Sequence, residues 1–118
     1  MKLNKPFNLE ERTYLFASEV SKAIRSLPYN LQNSEDGKQL IRSSGSVAAN
    51  YIEANENLSG KDFIFRIKIC RKEAKESVLW LKLLVENNPT VNGFKDLIDE
   101  ATELKLIFNS IVKKRNQI

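Results

Sequence analysis

Ser43, Ser46, Asn50 and Glu53 are the first residues in this sequence whose types and spacing suggest chemistry. Steps of three and four put them on one face of a helix. Ser44, Gly45, Ala48 and Ala49 stand among them, small enough to admit a second helix at close range. A carboxylate at such a seam needs donors, because an unpaired buried charge is costly. Arg42, Arg66, Arg71 and Lys72 are the available cations. Two readings follow. One is a ligand site; the other, which we favour, is a structural polar clasp of Arg42, Ser46, Asn50, Glu53 and Glu76 that sets helix register.

Glu53, Glu73 and Glu76 together would also make a carboxylate cluster. A di-metal bundle site takes several Glu with Glu-x-x-His motifs, and this chain has no His. Nearby Lys and Arg compete for the same carboxylates, so neither a metal nor a cofactor is expected. Without His, and with Cys70 as the one cysteine, His-based acid–base catalysis and thiolate zinc sites are excluded. None of the four glycines forms a phosphate loop. The expectation is a protein with no catalytic residues that is not an enzyme.

A second group offers binding chemistry. At about 100° per residue, Lys61, Lys68, Lys72, Lys75 and Lys82 line up along one helix face. Such a row can face phosphates, and a net charge of +4 with a sequence pI near 9.2 suits RNA or DNA. The bland alternative is a mildly basic protein whose lysines are simply solvated. On the same helix Phe65, Ile69, Trp80 and Leu83 form an apolar strip rotated from the main stripe. One apolar stripe suffices for a monomeric bundle, so this strip suggests a subunit interface. The alternative is one wide core face.

The elements that must position these groups are helical throughout. Asn8 with Glu11 resembles a capping box, and Phe16, Val20, Ile24 and Leu27 follow at helical spacing until Pro28. After a loop over residues 29–33, Ser34 with Glu35 and Asp36 looks like the next helix start. Leu40, Ile41, Ser44, Val47, Ala48, Tyr51 and Ile52 make its stripe. Asn57-Leu58-Ser59-Gly60 breaks the pattern, and Ser59 with Asp62 caps a third helix. Its stripe is Phe63, Ile67, Cys70, Ala74, Ser77, Leu81 and Leu84. A stop at Asn87-Asn88-Pro89-Thr90 precedes a fourth, with Phe94, Leu97, Ile98, Ala101, Leu104, Phe108, Ile111 and Val112 inward. The helices are expected at about 9–26, 35–56, 60–87 and 92–115, one domain over 1–118. Short connections predict an all-α, up-down-up-down antiparallel four-helix bundle. No apolar run nears the roughly 18 residues of a membrane span. The N-terminus lacks a signal-peptide core, so no membrane and a cytoplasmic location are expected.

The segment Arg42-Ser43-Ser44-Gly45-Ser46-Val47-Ala48-Ala49-Asn50-Tyr51-Ile52-Glu53-Ala54, followed by Asp62-Phe63 and Ala74 to Glu76, carries a resemblance. It is similar to the family of small four-helix-bundle proteins encoded in intervening sequences of 23S ribosomal RNA genes. That family ends its second helix in a pattern like R-S-x-x-S-(I/V)-x-x-N-(I/V)-x-E-(G/A). Tyr51 departs from the usual Ile or Val, and Ala54 from the usual Gly. The likeness runs over roughly Leu15 to Leu84, and the accessory protein of diversity-generating retroelements shares the fold. The resemblance implies a non-enzymatic, ring-like homopentamer, with nucleic acid and a reverse transcriptase as partners of the retroelement relatives. Two functions are therefore carried forward. The first is an oligomeric RNA-binding accessory protein acting through a basic face. The alternative is a structural or protein-interaction module with no nucleic-acid partner.

Overall fold

A computed structural model describes residues 8–56 and 59–116. Four helices follow one another: α1 (Leu9–Arg25), α2 (Leu31–Asn55), α3 (Gly60–Asn87) and α4 (Phe94–Asn116). Among the described residues there is no strand. Each helix packs on its chain neighbours and α1 closes against α4, an arrangement compatible with a four-helix bundle. Part of the break expected at Asn57 and Leu58 lies outside the described residues, as does the stretch 1–7 read for a signal peptide.

Local chemistry explains where the helices start. Asn8 caps α1, its Oδ1 accepting from the Glu11 amide at 2.8 Å. Ser59 caps α3 in the same way, its Oγ accepting from the Asp62 amide at 3.1 Å. Helix α2 begins earlier than the expected residue 35. Asn30, not Ser34, is its cap, with Oδ1 accepting from the Asn33 amide at 2.8 Å. The early start is held by a reciprocal amide pair between the beginning of α2 and the end of α3. Asn33 Nδ2 donates to Asn88 Oδ1 at 3.0 Å, and Asn88 Nδ2 donates back to Asn33 Oδ1 at 2.7 Å. Both side chains are buried, so the two amides satisfy each other where water cannot. Helix α4 starts at Phe94 rather than 92, directly after Gly93, whose φ of +98° belongs to the left-handed region that favours glycine.

The core is the set the periodicity marks. Phe16, Val20, Leu40, Val47, Ile67, Cys70, Leu81, Leu84, Leu104 and Phe108 are fully buried. Tyr51 leans on Phe108 with ring centroids 6.1 Å apart. Two residues assigned to the α2 stripe sit outside it: Ile41 and Ile52 are about half exposed, on the outer edge of the helix. On α4, Leu106 lies beside the inward stripe and is also exposed. The least extensive contact, α1 with α4, is bridged by charge. Arg12 Nε and Nη2 donate to both oxygens of the buried Glu100 at 2.7 and 2.8 Å, and Nη2 also reaches Glu103. These carboxylates raise the Arg12 pKa above its ordinary value.

Candidate nucleic-acid interface and the polar seam

Helices α2 and α3 meet over the small residues the sequence singles out. Ser43 and Ser77 are both fully buried, with their hydroxyls 2.8 Å apart. Ser77 Oγ also donates to the Glu73 carbonyl oxygen at 2.9 Å, so the pair is anchored in the α3 backbone. Lower on the seam, Cys70 Sγ donates to the Val47 carbonyl oxygen at 3.5 Å. Burial pushes the Cys70 thiol up from its ordinary 9.0 to about 12.

Of the five clasp residues, four are drawn into cross-helix or local polar contacts. Arg42 bridges Glu73 at 3.3 Å and Glu76 at 2.8 Å. Asn50 Nδ2 donates to Ser46, at both its carbonyl and its hydroxyl. Asn50 Oδ1 accepts from Arg66 Nη1 at 2.9 Å. Glu53 is not brought in. Its side chain is exposed near the C-terminal end of α2, with no polar partner among the described residues. Its place beside Arg42 is taken by Glu73, which is nearly buried. The seam satisfies itself: among the described residues no cluster of three acidic or Cys side chains could hold a metal ion.

The opposite flank of α3 is built differently. A groove of about 430 Å³ between α3 and α4 is lined by Lys68, Arg71, Lys72, Lys75, Lys105 and Asn109. Arg71 Nη1 donates to Asn109 Oδ1 at 3.0 Å, a neutral partner that fixes the guanidinium across the two helices without cancelling its charge. Among the described residues none of the five cations pairs with a carboxylate. Lys61 and Lys82 are exposed on α3 but do not line this groove. Lys105 and Asn109 have no signal in a single-helix reading, because only the antiparallel pairing of α3 with α4 brings them to the lysines. Arg71 shares the face of Lys68 and Lys75 on α3, and in sequence counts as a cation for the seam instead. Another cleft, about 300 Å³ between α1 and α4, mixes Glu19 and Asp96 with Lys22 and so has no dominant charge.

The apolar strip divides. Phe65 is 60% exposed, while Ile69 and Leu83 are half-buried and Trp80 packs against the core. Trp80 Nε1 is buried without a hydrogen-bond partner among the described residues, so the indole contributes by packing. Leu79, absent from the expected strip, is 51% exposed instead.

Among the described residues no helix is long and apolar enough to cross a membrane. No curated protein matches the chain. A solved structure that is similar is the crystal structure of a protein of unknown function from the S23 ribosomal protein family of Bacteroides thetaiotaomicron VPI-5482. It is 26% identical with a TM-score of 0.78, over 90% of this chain and 99% of that one. The model of the 23S rRNA-intervening sequence proteins matches residues 6–110, which takes in the seam and both helices of the basic groove. With nearly its whole length matched, the chain belongs to the 23S rRNA-intervening sequence protein family.

Proposed function

We propose that this protein is a non-enzymatic, cytoplasmic RNA-binding accessory protein that acts through the basic groove of α3 and α4. The observation that carries the proposal is the groove itself: five cations on two helices, with no acid among its lining residues. Like charges gathered at one place repel, and an anionic backbone relieves that repulsion while releasing its own counterions. The flexible ammonium groups suit a phosphate chain of variable path, and the held guanidinium of Arg71 supplies a fixed point.

The protein is proposed to act as a homo-oligomer, which would repeat the groove and multiply modest contacts by effective concentration. Support comes from the outer side of α2 rather than the α3 strip. There the exposed Ile41 and Ile52 flank Gly45, Ala48 and Ala49 without a charge on that line. A pentamer, and a reverse transcriptase as protein partner, are what the family resemblance adds to this reading.

The test is fluorescence anisotropy of labelled RNA and DNA titrated with the pure protein at rising salt, with mass measured by light scattering. Binding that weakens steeply with salt is the expected result. A stable protein that ignores both nucleic acids at low salt would instead favour the interaction-module reading.

A further inference from the structure

The outer side of α3 carries an exposed aromatic ring among its lysines. Single exposed apolar side chains are ordinary, and exposure alone says little. What distinguishes Phe65 is its company. Lys61 precedes it by four residues and Lys68 follows by three, so two cations, with one acid in Asp62 three residues before it, are its neighbours on the helix surface. Lys72, two turns on, lies within about 20° of the same line. Lys68 and Lys72 line the groove, which places Phe65 one turn from its edge. The residue is 60% exposed, whereas Ile69, the next apolar residue on that side, is half-buried.

Other exposed aromatics lack this setting. Tyr14 has two acids, Glu10 and Glu11, one turn before it and no cation one turn after, a balance that repels a phosphate backbone, whereas around Phe65 two lysines outweigh Asp62. Tyr29 lies in the α1–α2 connection, near the Asn33–Asn88 pair and far along the bundle from Phe65.

A cationic track with an aromatic face beside it is the arrangement that holds unpaired bases. The phosphates follow the charges while a base stacks on the ring. A duplex keeps its bases stacked on each other and offers the ring nothing, although its phosphates can still use the lysines.

We infer that Phe65 is a base-stacking platform, so that the protein prefers single-stranded nucleic acid to duplex. This rests on the proposal that the groove binds nucleic acid.

The experiment compares wild type, Phe65→Leu, Phe65→Tyr and Lys72→Glu on a short single-stranded RNA containing a fluorescent base analogue, and on the same sequence as a duplex. Phe65→Leu keeps apolar bulk at an exposed position and removes only the π-face. It should weaken single-strand binding by about tenfold and leave duplex binding and the salt slope unchanged. The base analogue should be quenched by wild type and by Phe65→Tyr, but not by Phe65→Leu. If Phe65→Leu changes neither substrate while Lys72→Glu weakens both, the stacking inference falls and the groove reading stands. If Phe65→Leu lowers the oligomer mass, Phe65 is a contact between copies and the inference is overturned. If wild type binds neither form, both readings are lost.

Discussion

On its α2 side, α3 sets Glu73 and Glu76 against Arg42, Ser77 against Ser43, and Arg66 against Asn50. On its α4 side it sets Lys68, Lys72 and Lys75 beside Lys105 with no acid in the groove lining. The first flank gains from every contact it makes. The second places like charges together, which opposes folding through repulsion. Polar residues that neutralise one another fix how two helices sit. Charges left without partners are a surface that a ligand can improve. One helix thus does structural work on one side and offers chemistry on the other.

The largest expected effect breaks the contrast from the groove side. Replacing Lys68, Lys72 and Lys75 together by Glu should lower RNA affinity by at least about a hundredfold and flatten its salt dependence. The new acids would face Lys105, so the melting temperature should hold or rise. A lower melting temperature would mean that the lysines stabilise the fold and that the two flanks are alike. From the seam side, Ser43→Leu overfills a fully buried position and should cost about 2 kcal/mol in urea unfolding, with RNA affinity of the folded protein unchanged. Ser77→Ala removes one buried hydroxyl pair and should cost about 1 kcal/mol. Glu76→Gln is the gentlest change. Its ion pair to Arg42 is partly exposed at both ends, so a loss below about 1 kcal/mol that shrinks further in salt is expected.

The helices and their inward faces are legible because apolar residues three and four apart come to one side only when the chain is helical. The start of α2 is not legible in this way. Leu31 points outward, and Asn33, Asp36 and Gly37 are buried without being apolar, so no stripe marks that turn. Ser34 with its two acids looks like the better cap, and the bond that decides the matter runs to Asn88, which is distant in sequence. Within the seam, spacing correctly groups Ser43, Ser46 and Asn50. It does not predict Glu53, which shares the line of Arg42 three turns further along α2 yet is exposed without a polar partner among the described residues. The single-helix view also finds the α3 half of the basic surface, with Lys68, Lys72 and Lys75 in it. The Lys105 half depends on how two antiparallel helices are registered, and no periodicity within either one carries that.

Cys70, set in the middle of the seam, doubles as a built-in clock for its opening. A thiol held protonated up to about 12 and shielded from solvent cannot meet an alkylating reagent while α2 and α3 stay closed. The labelling rate at neutral pH therefore measures how often that flank separates, independently of any binding assay. RNA bound in the α4 groove should leave the rate nearly unchanged if opening is local to α2, and slow it if the whole bundle must loosen. The same burial gives an alkaline limit. Above the ordinary 9.0 the unfolded thiol ionises while the folded one does not until about 12, so stability declines across that window. Cys70→Ala should remove that part of the decline, read as the difference between the two melting-temperature profiles.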